Sequence, residues 1–272
     1  MNALVGERLS IITPKAQTTR HRILGIVNGD NYQIVFSDTP GILKPVYKLQ
    51  ESMLAYVESA YTDADIILYV TDVIEKPDKN AEYIAKLRDF NIPVLVLINK
   101  IDLVSQEKVI GLVDQWHEFL PGAEILPVSA KEKFNTDILF HKILKLLPEG
   151  PEYYPKDEMT DRPERFFVSE IIREKIFLNY QKEIPYSTEV AVESFKEEKK
   201  LVRISAVIFV MREPQKGIII GKQGQSLKKT ATEARKDIES FLGKKVFLEL
   251  FVKVKKDWRD RPGMLKTFGY NS

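Results

Sequence analysis

The sequence predicts an α/β domain with a doubly wound, mostly parallel sheet, followed by a smaller α+β domain. Three observations lead there. Apolar strand-like runs alternate with helical stretches over residues 1–150, a proline-rich break follows, and beyond it the order reads α-β-β-α-α-β. A chain of 272 residues also exceeds one ordinary compact core.

The first elements read as a hairpin: Ile23 to Val27, a turn at Asn28-Gly29-Asp30-Asn31, then Tyr32 to Phe36. Buried-strand patterns follow at Ile66 to Val70 and Pro93 to Ile98, with a shorter strand at Ile125 to Val128. Helical stretches around 46–61, 78–90 and 105–119 separate them. Residues 148–163 hold four prolines and a glycine, which resist helix and central strand alike, so the expected layout is a domain over 1–150, a linker over 151–163 and a second domain over 164–272. In that second domain a helix is expected near 166–180, strands near 186–196 and 200–211, helices near 214–220 and 225–242, and a strand near 245–255.

Composition excludes several chemistries. Cysteine is absent, so disulfides, zinc-thiolate sites and thiol nucleophiles are excluded. His21, His117 and His141 are scattered, which argues against a histidine-built metal site. The longest apolar runs fall far short of the roughly 20 residues that cross a bilayer, and the first residues carry no secretory pattern, so the expected compartment is the cytoplasm. Net charge is only +2, but residues 1–150 hold 16 basic against 20 acidic side chains and residues 151–272 hold 25 against 19. Within 216–256 the balance is 11 basic to 4 acidic, which makes that segment the expected polyanion-facing surface.

Three short motifs lie at strand ends, where α/β sheets bind ligands. Asp38-Thr39-Pro40-Gly41 can be an ordinary turn; functionally, Asp38 can hold the hydration shell of Mg²⁺ and Gly41 lets a backbone N–H approach a phosphate. In Asn99-Lys100-Ile101-Asp102 an ionised Asp102 can accept from both guanine edge donors, Asn99 can tie loops together, and the Lys100 stem can lie along the base. Ser129-Ala130-Lys131 is by itself a surface turn, or a source of a backbone N–H for the guanine oxygen. Their order and spacing together point to nucleotide reading.

A fourth motif, Gly221-Lys222-Gln223-Gly224, opens the long predicted helix. Two glycines let a nucleic-acid backbone come close, and Lys222, Lys228, Lys229 and Arg235 add charge that follows phosphates. The plain alternative is a glycine-rich helix junction with a solvated basic face.

With Lys15-Ala16-Gln17-Thr18-Thr19-Arg20-His21-Arg22, Ser169 to Lys175, Glu233 to Asp237 and Leu250 to Lys255 added to these motifs, the chain resembles the Era GTPase family over nearly its whole length. The resemblance implies a P-loop GTPase-type domain joined to a type II KH domain. It implies GTP or GDP and Mg²⁺ as ligands, and 16S ribosomal RNA near its 3′ end and the 30S subunit as partners, with no role for DNA. A monomer is expected, and the resemblance leaves open a peripheral contact with the inner face of the cell membrane. Thr18 and Thr19 would lie in the first switch and Asp38 and Gly41 in the second; Thr19 and Asp38 would serve the metal, Thr19, Asp38 and Gly41 the hydrolysis, and Asp38, Thr39, Pro40, Gly41 and Ile42 would bind the nucleotide. Ile42 stands where Ras-type enzymes place a glutamine that orients water, so water must be positioned by another group.

One departure stands out. In the family, the lysine and serine or threonine of the phosphate-binding loop come immediately before the segment that here is Asn2-Ala3-Leu4-Val5-Gly6, so Met1 falls within the helix after that loop. The expectation is a chain cut at an internal methionine, with a break in the sheet where the first strand would run. An in-frame G-x-x-x-x-G-K-[ST] in the upstream coding DNA tests this. The alternatives are a nucleotide-independent RNA-binding module that does not hydrolyse GTP, and a purely structural pair of domains.

Overall fold

The structure, a computed structural model, describes residues 1–75 and 81–270. It forms two compact units. One comprises Met1–Glu7, Gly25–Phe36 and Glu58–Met159, and the other Arg8–Leu24, Ser37–Val57 and Thr160–Ser272.

The first unit contains a short helix α1 (Asn2–Val5), most of the hairpin β1 (Ile23–Asn28) and β2 (Gln33–Asp38), and the C-terminal end of α2 (Lys48–Thr62). It continues with β3 (Ile67–Asp72), α3 (Ala81–Leu87), β4 (Val94–Asn99), α4 (Gln106–Phe119), β5 (Glu124–Pro127) and α5 (Thr136–Leu146). The expected helix at 78–90 thus begins on residues outside those described. Strands β3, β4 and β5 pair in parallel, and register sets Asp72 opposite Asn99 and Ile98 opposite Pro127. Leu95, Val96, Leu97 and Ile98 are all buried, which is why β4 reads as an unbroken apolar run rather than an alternating one. The hairpin is a two-stranded sheet separate from the β3-β4-β5 sheet. Ile34 and Phe36 of β2 nevertheless share one apolar cluster with Leu95, Leu97, Leu126, Leu139 and Ile143. Helix α5 was not among the expected elements. Its buried Leu139 and Ile143 stand four apart on one face, a pattern the sequence does carry.

The second unit is built on α6 (Glu164–Asn179), a short α7 (Ile184–Ser187), β6 (Glu189–Glu197), β7 (Leu201–Val210), α8 (Glu213–Ile220), α9 (Gln225–Leu242), β8 (Lys245–Val254) and α10 (Pro262–Thr267). Its sheet runs β6-β7-β8, antiparallel then parallel, with an irregularity between Val192 and Ser194. Ile172, Ile176, Ile204, Ile208, Ile219 and Ile238 form the centre of its core. Residues 8–24 and 37–57 belong to this unit although they precede it by more than 100 positions. The α2 residues Leu49, Met53 and Tyr56 pack in one cluster with Met211, Trp258, Leu265 and Tyr270, and Tyr56 Oη donates to the Gly269 carbonyl at 3.1 Å.

Candidate functional site

In the first unit, the C-terminal ends of β3, β4 and β5 carry a small hydrogen-bonded assembly. Asn99 Oδ1 accepts from the Lys100 N–H at 2.8 Å and from the Ala130 N–H at 3.0 Å, so one side chain ties two loops. Lys100 sits in the left-handed region (φ 63°), a conformation uncommon for a residue with a Cβ. Its ammonium donates to Asp72 Oδ2 at 2.7 Å, while Asp72 Oδ1 accepts the N–H groups of Ile74 and Glu75, both at 2.9 Å. Partial burial would raise the Asp72 pKa, but the Lys100 hydrogen bond and the two backbone donors outweigh it and hold the carboxyl below its usual value. Asp72 was absent from the sequence-derived site, although it ends an apolar strand as Asp38 and Asn99 do.

Ser129 Oγ donates to Asp102 Oδ1 at 2.6 Å, and that bond is the main cause holding the exposed Asp102 carboxyl below its ordinary pKa. The same hydroxyl accepts the Glu132 N–H at 3.2 Å, and a bridge between Ser129 and Phe134 closes the loop. Ser129 therefore acts here through its side chain as well as its position. Since the Ala130 N–H already serves Asn99 and the Ser129 N–H serves the Phe134 carbonyl, a ligand oxygen would displace one of these or use the Lys131 N–H. The Lys131 ammonium is exposed and pairs with Glu132 at 2.9 Å. The assembly presents an ionised carboxylate to solvent with its rotamer fixed, which suits a two-donor edge.

The second unit holds the other expected nucleotide residues. Asp38 closes β2, and Ser10 Oγ donates to its Oδ2 at 2.5 Å. Burial raises the Asp38 pKa against the opposing effect of that hydrogen bond. Thr18 Oγ1 is engaged inside a tight turn, donating to the Lys15 carbonyl at 2.7 Å and pairing with Thr13 Oγ1 at 2.6 Å. Of the two threonines, Thr19 is the one outside that turn. A Cβ built on Gly41 would meet nothing within 4 Å, and its φ lies outside the left-handed region, so neither packing nor backbone demands glycine there. Thr39 and Ile42 are half-buried and Pro40 is buried.

Segment 8–24 is stitched to α6 and β6 by charge. Arg8 pairs with Glu174 at 2.5 Å and Asp237 at 3.3 Å, and the Ile12 N–H donates to Glu174 at 3.1 Å. Lys15 Nζ donates to the carbonyls of Phe177 and Tyr180, both at 2.5 Å, where it caps the C-terminal end of α6. Buried Arg20 donates to the carbonyls of Pro185 and Thr188 and pairs with Glu189, and Tyr270 Oη donates to that glutamate at 2.6 Å.

At the end of α8 the backbone turns sharply. Gly221 lies at φ 70°, ψ 179°, a region essentially reserved for glycine, and a Cβ there would come within 2.2 Å of Ser226 Oγ. Gln223 (φ 51°) and Gly224 (φ 75°) follow in left-handed conformations, and α9 starts at once with Gly224 as its N-cap. Lys222, Lys228 and Lys229 are exposed around this turn, whereas Arg235 is half-buried and donates to Glu239 at 2.8 Å. The three lysines are thus the cations best placed for an approaching phosphate.

Comparison with known proteins completes the picture. The KH domain family model matches residues 183–259, and the model described as 50S ribosome-binding GTPase matches residues 1–100. GTPase Era of Syntrophus aciditrophicus (strain SB) is 46% identical over 274 residues, covering 100% of this chain and 90% of that protein. GTPase Era of Heliobacterium modesticaldum is 44% identical over 273 residues, covering 100% and 91%. Among solved structures, a point variant of Aquifex aeolicus Era bound to GDP and AlF4⁻ superposes with a TM-score of 0.94 at 41% identity, covering 100% of this chain and 93% of that one. Era in complex with MgGDPNP and nucleotides 1506–1542 of 16S ribosomal RNA gives 0.95 at 42%, with the same coverage. With fold, motif geometry and overall similarity in agreement, the chain belongs to the Era family of GTPases.

Proposed function

We propose that the chain reads a guanine nucleotide through Asn99, Lys100, Asp102 and the Ser129–Lys131 loop, hydrolyses GTP, and binds 16S ribosomal RNA through the Gly221–Gly224 turn in small-subunit assembly. The observation that carries this reading is the Asn99 side chain, which holds the Lys100 and Ala130 loops together beside an ionised, solvent-facing Asp102. The solved relatives with GDP and AlF4⁻ and with MgGDPNP and RNA support it by analogy.

Among the described residues no group of three or more His, Cys, Asp or Glu side chains could hold a metal ion by itself. One carboxylate and one hydroxyl, Asp38 and Thr19, nevertheless suit Mg²⁺, which keeps several waters and takes its other ligands from phosphate oxygens. When bound, that ion would neutralise charge developing on the transferred phosphoryl group. Gly41 leaves room for close approach of a phosphate, and Ile42 has no group that can take a proton, so the attacking water is positioned by another group. The same reading places the protein in the cytoplasm on the 30S subunit, with any membrane contact peripheral; no helix among the described residues is long and apolar enough to cross a bilayer.

The test is Asp102→Asn, assayed by calorimetry with GDP and XDP. Preference moves from guanine to xanthine if Asp102 reads the base, and an unchanged preference overturns the assignment. In the same assay, wild-type protein that binds the 1506–1542 RNA but neither nucleotide identifies a nucleotide-independent RNA-binding module.

A further inference from the structure

A GxxG turn clamps about four nucleotides, so a longer single strand must leave it across neighbouring surface. Beside the turn, between the end of α6 and the first turn of α9, lies a cleft of about 360 Å³. We propose that this cleft is a second nucleobase-binding subsite for single-stranded RNA, continuous with the turn but formed by residues outside it. The proposal rests on the RNA-binding reading above and names where a further base is held.

Its walls have the composition a base needs. Ile218 is 50% exposed on α8, three positions before Gly221, and offers an apolar face. Tyr180 forms a rigid part of the wall, because its hydroxyl donates to the Ile219 carbonyl at 2.8 Å and accepts from Thr230 Oγ1 at 3.2 Å. That wall is further held by Lys15 on the Tyr180 carbonyl.

Polar groups line the rest. Asn179 commits its amide nitrogen to Thr230 Oγ1 at 3.3 Å and Glu233 Oε2 at 2.7 Å, so what it can present to a ligand is its carbonyl oxygen. An acceptor there favours a base with an exocyclic amine, cytosine, adenine or guanine, over uracil. Gln181 is exposed at the rim and can donate as well as accept. Lys229 supplies a cation for the connecting phosphate, and Ser226, the residue against which Gly221 packs, joins the cleft to the turn.

Twelve-nucleotide RNAs tiling nucleotides 1506–1542 of 16S ribosomal RNA, and tetranucleotides cut from the tightest binder, test this by fluorescence anisotropy. Gln181→Ala and Ile218→Ala alter exposed side chains, and their folding is checked by thermal unfolding. Each should weaken the twelve-mer about tenfold, as loss of one held base would, and leave the tetranucleotide within about twofold. Lys222→Ala should weaken both lengths. In the wild type, replacing the cytosines, adenines and guanines of the twelve-mer by uracil one at a time should reveal one sensitive position, and that sensitivity should vanish in Gln181→Ala. An unchanged twelve-mer affinity in both variants, or an equal loss for both lengths, overturns the subsite. Wild-type protein that binds none of the RNAs overturns the RNA-binding reading on which it stands.

Discussion

The loops at the ends of β3, β4 and β5 and the layer that segment 8–24 forms with α6 and β6 are both organised by hydrogen-bonded charges, but they lie at opposite extremes of burial. Asp102 and Lys100 are held by Ser129 and Asp72 in positions open to solvent. Arg20 and Glu189 are 2% and 5% exposed on their side chains, and Glu170 and Arg173 are 5% and 0%. Exposed pairs in water contribute roughly 0 to 1 kcal/mol, so a ligand can displace a partner there at little cost. Breaking a buried pair strands a charge and costs about 3 to 5 kcal/mol. The first region is therefore suited to exchanging partners, and the second to holding a segment in place.

The largest test of that contrast is Arg173→Ala. Arg173 Nε and Nη2 donate to the two oxygens of Glu170 at 2.8 and 2.5 Å, and its removal leaves the glutamate buried and unpaired. Urea unfolding should show a loss of about 3 to 5 kcal/mol; a loss under about 1 kcal/mol, the range of an exposed pair, would erase the distinction between the two regions.

An intermediate effect comes from His21. Its ring stacks on Tyr270 at 4.2 Å, meets Phe166 edge-on at 5.4 Å and lies 6.2 Å from Tyr56. Burial pushes its pKa down to about 3, against the attraction of Glu170 and with help from Arg173, Arg162 and Arg20. The unfolded chain takes up the proton near pH 6.5, so between pH 6.5 and about 3 it binds more protons than the folded chain. The stability contributed by neutral His21 is complete above pH 6.5 and declines as the pH falls through that window, by up to about 1.4 kcal/mol per unit. His21→Phe should flatten the pH dependence of unfolding relative to wild type, and an identical slope would show that the ring does not stay neutral on folding.

The smallest expected change is in the exposed region. Ser129→Ala removes the hydroxyl that fixes Asp102, and should reduce guanine-nucleotide affinity about fivefold, one hydrogen bond's worth. Ser129 is itself buried and its hydroxyl also accepts the Glu132 N–H, so unfolding free energy should fall by about 1 kcal/mol. A stability loss comparable to that of Arg173→Ala would mean that the exposed loops, too, carry structural load.

Much of this arrangement was legible beforehand, for definable reasons. The β6 to β8 unit was readable because its strands and helices are set by strictly local periodicity, and the turn at Gly221 because its backbone conformation admits essentially only glycine. The reading motifs were visible because their residue types sit at apolar strand ends. Asp72 was not, since an Asp ending one strand gains meaning only when register sets it opposite Asn99 and within reach of the Lys100 ammonium. Helix α6 misleads in the opposite sense. Glu170, Arg173, Glu174 and Lys175 are all charged, yet all four are buried, so charge alone does not mark a solvated face.

By itself the sequence determined the absence of thiol chemistry, the family and the order of most elements, because these depend on composition, local spacing and motif order. Only the tertiary structure decided that segments 8–24 and 37–57 fold with residues 160–272, that Arg20 answers Glu189 across 169 positions, and that a cleft opens beside the glycine turn. Burial and long-range charge pairing arise from which surfaces meet after the chain closes, and no local pattern encodes them.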